Sequence, residues 1–345
     1  MRERRRCFVV ALSLGLILAG FATSAAAVDS FYEGKTIRIL VGYSPGGSFD
    51  SYSRGLARHM RKHIPGSPTI IVDNMTGAGG LILANHLYKV ARPDGLTIGH
   101  FGASLIMGQL LGQKGIEFDG RRFEWVGSPV GDTNVCVLTK ASGIANVDGW
   151  RVSKAGVKIG ADSPGSNLYD NPQIYKTALG LPIHIVAGYK GTPEIRLAAE
   201  QGEVAGGCVG WTTIKPFWGQ KIEAGEMAIM FQAAPKPHAD LPRVPLAIDL
   251  AKTTDGRDLI RVGIVEPGTI LRTWSLPPGT PKDRVEVLRR AFLETMKDPA
   301  FLAEMEKVKL DVDPVPGEEV EKIVQGFFTL SPSFIARLKE VLVVR

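Results

Sequence analysis

The 345-residue chain predicts an α/β protein of two doubly wound halves. Three observations carry that reading. Short runs rich in β-branched residues alternate with helical patterns along most of the chain. Nearly every such run ends in a glycine-rich turn that opens the next helix. The scheme appears near the start of the chain and is repeated in its middle.

The elements follow in order. Thr36 to Val41 reads as a strand, and after Ser44-Pro45-Gly46-Gly47 a helix is expected from about Ser48 to His63. Thr69 to Val72 is a second strand; past Asn74 and Gly77-Ala78-Gly79-Gly80, helical spacing resumes at Leu81, Ala84, Leu87 and Tyr88. A Pro93-Asp94-Gly95 turn precedes a short third strand, Leu96 to Ile98. Asn134–Thr139 and Val204–Val209 read as buried strands. Between them, Val157–Gly160 leads through Ser163-Pro164-Gly165-Ser166 into a helix ending at Gly180. Ile183–Val186 leads through Tyr189-Lys190-Gly191 into another, with Thr192 as N-cap and Pro193 in the first turn. Helices are expected at Pro281–Lys297, at Pro299–Lys307 and within Glu318–Leu342.

Residues 1–27 read differently. Arg2, Arg4, Arg5 and Arg6 precede an apolar run from Phe8 to Phe21, and Ala25-Ala26-Ala27 supplies small residues for cleavage. This is the pattern of a secretory signal peptide, and it implies export. Arg5-Arg6 leaves Sec and twin-arginine routes open. Without the leader, Lys plus Arg fall from 41 to 37 and Asp plus Glu from 35 to 34, so the net charge drops from +6 to +3. No basic cluster with interleaved aromatics remains, so nucleic acid is not an expected partner. Cys136 and Cys208 are the cysteines left. An oxidising compartment allows their pairing, and two separate buried thiols fit as well. No Cys-x-x-Cys or His-Glu-x-x-His spacing suggests a metal, and no cofactor motif is complete.

The glycine turns suggest the chemistry. Each delivers the chain to a helix N-terminus, where N–H groups are unpaired and the helix dipole is positive. Glycine lets that backbone approach a ligand. Ser44, Ser48, Thr76, Ser163, Ser166 and Thr192 add hydroxyls. Several such termini around one cleft would hold a small carboxylate without needing an arginine. An exported hydrolase is the less favoured alternative, chiefly because of one atom. Gly42-Tyr43-Ser44-Pro45-Gly46 has the spacing of a nucleophile elbow, but the residue after the serine is Pro45, which has no N–H for an oxyanion hole. The chain is therefore not expected to be an enzyme.

Several motifs in order resemble one family. Phe31-Tyr32 with Lys35-x-Ile37-Arg38 is similar to its opening strand, and Pro45-Gly46-Gly47-Ser48-Phe49-Asp50 to its first loop. Asn74-Met75-Thr76-Gly77-Ala78-Gly79-Gly80 and Pro93-Asp94-Gly95-Leu96-Thr97 follow at matching places, as does Tyr189-Lys190-Gly191-Thr192-Pro193 with one residue fewer before the proline. So do Leu241-Pro242-Arg243-Val244-Pro245, Pro277-Pro278-Gly279-Thr280-Pro281 and Asp298-Pro299-x-Phe301. Together they resemble the periplasmic solute-binding proteins of tripartite tricarboxylate transporters, the TctC or Bug family.

The resemblance implies a two-lobed periplasmic-binding-protein fold, a Venus flytrap, each lobe a mostly parallel sheet flanked by helices. Residues 28–130 plus 233–345 would form lobe 1 and 131–232 lobe 2, hinged near 124–135 and 227–232. It implies a monomeric periplasmic protein that captures a small carboxylate and docks on membrane permease subunits; a ligand-presenting sensor is the alternative. The implied ligand contacts are Ser44, Gly46, Gly47, Ser48, Phe49, Ala78 and Gly79 from lobe 1, and Ser163, Gly165, Ser166 and Tyr189 from lobe 2. Asp50 would brace its loop. Tyr169-Asp170 stands where the family often has His-Leu, and Ala205 where it often has an acid. Phe49 would suit an aromatic or otherwise apolar carboxylate better than citrate.

Overall fold

The computed structural model describes residues 31–342 apart from 44, 163 and 190. The leader, Ser44 and Ser163 therefore lie outside the described residues. The chain visits one sheet, crosses to a second and returns. Four strands come first: β1 (Thr36–Val41), β2 (Thr69–Asn74), β3 (Thr97–Gly102) and β4 (Glu124–Ser128). The second sheet holds β5 (Asn134–Thr139), β6 (Val157–Gly160), β7 (Ile183–Val186), β8 (Gly206–Gly210) and β9 (Met227–Ala233). Then β10 (Arg272–Leu276) and β11 (Val315–Pro316) complete the first. The strand orders are β11-β4-β10-β3-β1-β2 and β7-β6-β8-β5-β9. The result is a two-lobed α/β protein with helices packed on both sheets.

Among the named strands, parallel pairing is confined to β2-β1-β3 and β7-β6-β8, the parts built from strand–helix–strand units. The remaining strands pair antiparallel, because they lie where the chain enters or leaves a sheet. Within β1, Ile37, Ile39 and Val41 are fully buried, as expected of β-branched residues in a covered sheet. Trp125, Phe101 and Phe123 fill one face of the first lobe, while Trp274, Phe292 and Phe301 fill the other. Val135, Val209, Ile214 and Trp218 pack beneath the second sheet. A side chain at Gly206 would place its Cβ 1.9 Å from the carbonyl oxygen of Val137, so the β5–β8 approach requires glycine there.

Cys136 and Cys208 stand directly opposite each other on β5 and β8 and are joined as a disulfide. Helix Thr192–Glu200 begins after Gly191, so Thr192 is its first residue and Gly191 the cap. The Glu318–Leu342 segment is two helices, Gly317–Phe327 and Pro332–Leu342. Ser331 accepts a hydrogen bond from the Phe334 N–H, and Pro332, lacking an N–H, opens the new helix. That last helix packs on Ser104–Leu111 of the first lobe and on Asn167–Leu179 of the second. Among the described residues, no helix is long and apolar enough to cross a membrane.

Candidate functional site

The two lobes face each other across a cleft, and the first-lobe wall is built on one carboxylate. Asp50, in the first turn of helix Ser48–Met60, accepts hydrogen bonds from the Gly46 N–H (2.9 Å), Arg54 Nε (2.9 Å) and Asn74 Nδ2 (3.0 Å). Burial alone would raise its pKa, but these donors and the Arg54 charge hold it down at about 2. Asn74 also donates to the Tyr43 carbonyl (2.9 Å) and accepts from Arg54 Nη2 (3.1 Å). The turn after β1 is thereby locked to the end of β2. The Tyr43 hydroxyl extends the lock by donating to the Gly79 carbonyl at 3.1 Å.

An aromatic column stands behind this loop. Its ring centroids are 4.1 Å apart for Tyr43–Phe49, 4.7 Å for Phe49–His100 and 4.3 Å for His100–Trp274. Ser53 Oγ accepts from Trp274 Nε1 at 3.2 Å and lies 2.7 Å from His100 Nδ1. The indole can only donate, so Ser53 Oγ is the acceptor of that bond. Burial, assisted by the Arg272 charge, pushes the His100 pKa down to about 3.

Arg272 opens β10 at the mouth of this column. It is 6% exposed. Its Nε donates to Ser48 Oγ at 3.4 Å, and its guanidinium lies 5.8 Å from the Phe49 ring centroid. Among the described residues, Nη1 has no hydrogen-bond partner. A buried guanidinium nitrogen without an acceptor is costly, and it marks a place for an incoming anion.

Arg272 lines a pocket of about 200 Å³ whose other wall belongs to the second lobe. Three helices begin there: Asn167–Leu179, Thr192–Glu200 and Trp211–Glu223. Asn167, Thr192 and Thr213, from their first turns, line the same space. Their leading N–H groups have no partner within the helix, and their dipoles place positive potential at the pocket. Asn134 and Asp132 complete that wall. Tyr175 donates to Asn134 Oδ1 at 2.9 Å, leaving the amide NH2 as the remaining donor group. Asp132 Oδ1 accepts from Thr212 Oγ1 at 3.4 Å. A space of about 520 Å³ adjoins through Asn167, Asn171, Gly263 and Pro267, with Met107, Leu111 and Leu342 as its apolar lining. The cleft thus offers a polar, positive end and an apolar extension.

Among the described residues, none of the sequence-expected ligand contacts lines this pocket itself, and Gly165 alone of them lines the apolar extension. Ser48 and Phe49 touch Arg272. Gly46 gives its N–H to Asp50, and Gly47 caps the helix that Ser48 begins. Ala78 and Gly79 form a short turn tied to Tyr43. Gly165 lines the apolar extension, and its N–H is donated to Asp170 at 3.0 Å. Ser166 hydrogen-bonds Asp162, one residue before the Asn167 helix. Tyr189 turns its hydroxyl toward Glu203 at 3.4 Å. Burial and Asp162 push the Asp170 carboxyl up to about 6 against the opposing Gly165 bond. Arg272, Asp132 and Asn134 have no counterpart in the sequence reading. The local signal for Arg272 was weak, a lone cation in an otherwise ordinary Thr-Trp-Ser-Leu run.

Comparisons with known proteins agree with this architecture. A curated relative from Cupriavidus necator, the "UPF0065 protein in gbd 5'region", is 28% identical over 334 residues, covering 90% of this chain and 88% of its own. A TctC solute-binding protein from Polaromonas, solved without ligand, shares the fold with a TM-score of 0.72 at 17% identity, over 90% of this chain and 98% of that one. MatC from Rhodopseudomonas palustris, solved with bound malate, gives 0.60 at 18% identity, over 90% and 99%. The model of the tripartite tricarboxylate transporter family receptor, TctC, matches residues 53–338, and the chain belongs to that family of solute-binding receptors.

Proposed function

We propose that this protein binds a small carboxylate between its lobes, outside the cytoplasm, and presents it to the permease subunits of a tripartite transporter. One observation carries the reading: Arg272, buried and with Nη1 unpartnered among the described residues, shares a pocket with three helix N-termini of the other lobe. Donors from both lobes make the closed form the tighter binder, so ligand shifts the population toward closure. Residues 28–130 with 233–345 move against 131–232, and the protein works as a monomer. Family membership supports the transport role, and the malate in MatC supports the ligand class.

No chemistry on the ligand is proposed. Ser53 and His100 are hydrogen-bonded as a nucleophile and base would be, but both are 0% exposed and sealed under Trp274. A substrate carbonyl has no route to that hydroxyl.

Isothermal titration of the mature protein with mono-, di- and tricarboxylates tests the proposal. At least one series should bind, and Arg272→Gln should weaken it by about 10–100-fold, the worth of a hydrogen bond to a charged group. Flat thermograms across the panel would remove the reading. Cell fractionation tests the location, and a mature protein recovered with the cytoplasm would contradict export.

A further inference from the structure

The pocket that holds Arg272 also holds an opposite charge. Asp132 lies on the 129–133 crossing between the sheets, its N–H donating to the Gly268 carbonyl at 2.9 Å. Its carboxylate packs against Gly210, where a Cβ would sit 2.6 Å from Oδ2. A carboxylate offers about four acceptor positions. Among the described residues, Asp132 fills one of them through the long bond from Thr212 and has no cation partner. Arg272 and Asp132 line the same space of about 200 Å³, and among the described residues they form no ion pair with each other.

Asp132 stands at the start of helix Trp211–Glu223, where a carboxylate is favourable, but toward a purely anionic ligand it is an opposing charge. An ionised aspartate in the pocket repels every additional carboxylate brought in. A ligand that carries its own donor reverses the sign of that interaction. Its anionic end meets the free guanidinium and the helix N-termini, while its cationic end fills the open acceptor positions of Asp132. The limited volume restricts the ligand to a small molecule.

We infer that the ligand is a small amino acid, its carboxylate held by Arg272 and its ammonium group by Asp132. This rests on the carboxylate-binding reading above and narrows it. Asp132 is then the residue that separates amino acids from the corresponding plain acids.

The test compares matched pairs by titration calorimetry on the mature protein: L-alanine against propionate, 4-aminobutyrate against butyrate, and L-aspartate against succinate. The amino member of at least one pair should bind about tenfold tighter or more, the scale of a charge-assisted hydrogen bond. In Asp132→Asn that preference should collapse toward unity, the amino member losing affinity and the plain acid, no longer repelled, gaining it. Carboxylates that bind wild type without any amine preference overturn this inference alone. So does a preference that survives Asp132→Asn. If no carboxylate binds, with or without an amine, both readings fall. The wild-type comparison stands by itself should the variant not fold.

Discussion

The Arg272 guanidinium lies 5.8 Å from the centroid of the Phe49 ring while its Nε donates to Ser48 Oγ. The first residues of helix Ser48–Met60 therefore position the cation of β10. A cation over an aromatic face is stabilised by about 0.5–2 kcal/mol, more as water is excluded. Phe49→Ala removes that face and opens space beside the guanidinium. It should weaken carboxylate binding several-fold and also lower the melting temperature, because the ring packs between Tyr43 and His100. Phe49→Leu should behave like Phe49→Ala if the ring's face matters, and like wild type if only bulk does. Titration of the two variants with one carboxylate distinguishes these cases.

Asp50 joins three separate pieces of chain: the Gly46 turn, Arg54 on its own helix and Asn74 at the end of β2. Asp50→Ala leaves those donors facing a buried gap and should lower both stability and affinity. Asp50→Asn keeps the shape but loses the charge, and its amide can accept from only part of the set, so it should fall between. The pKa of Asp50 is depressed to about 2 from an ordinary 3.8. Its contribution is then present above about 3.8 and is lost as pH falls through about 2. Thermal melts of wild type and Asp50→Asn should converge at the acid end. A constant difference down to about pH 2 would contradict the charge-based account.

The sequence made the parallel strands and their glycine turns legible because those signals are local. A β-branched run followed by glycine and a helix start can be read within about twenty residues. Thr36–Val41, Ile183–Val186 and the loop braced by Asp50 are of this kind. Arg272 is the opposite case. Its burial comes from β3 and β4 on either side of β10, from strands distant in the chain. Nothing adjacent to an arginine announces that neighbours will strip its water. Asp132 was hidden for the same reason: its meaning depends on Gly210 and Thr212, which β8 brings across from far along the chain. The break between the last two helices was readable in principle, since Ser331-Pro332 is a capping pair.

Asp170 turns pH into a lever on the second-lobe loop. Burial raises its carboxyl from an ordinary 3.8 to about 6, with Asp162 adding to the shift. A raised acid favours folding in its protonated form, so that stabilisation is complete below about pH 3.8 and lost as pH rises through about 6. Asp170→Asn stays neutral at every pH and can still accept from the Gly165 N–H. The variant should therefore melt above wild type at about pH 7–8, with the gap closing near pH 4. Paired scanning calorimetry across that window measures it. A gap that widens toward acid would mean that Asp170 is held ionised in the folded protein.

The disulfide is placed where its loss would reach the ligand. Cys136 and Cys208 are in register on β5 and β8, and two residues further along the same ladder Asn134 pairs with Gly210. Both of those residues line the pocket. The bridge closes a segment 72 residues long, and constraining the unfolded chain over such a length stabilises by about 2–4 kcal/mol. Both cysteines are 0% exposed, so reductant should act on the unfolded chain and leave the native protein oxidised. A Cys136→Ala, Cys208→Ala double variant should lose several degrees of melting temperature. It should also bind more weakly, since the register of β5 against β8 sets how Asn134 faces the cleft. Ligand protection should persist in it, because Arg272 and the helix N-termini stand on other elements. A double variant with unchanged affinity would show that strand pairing alone fixes the floor of the site.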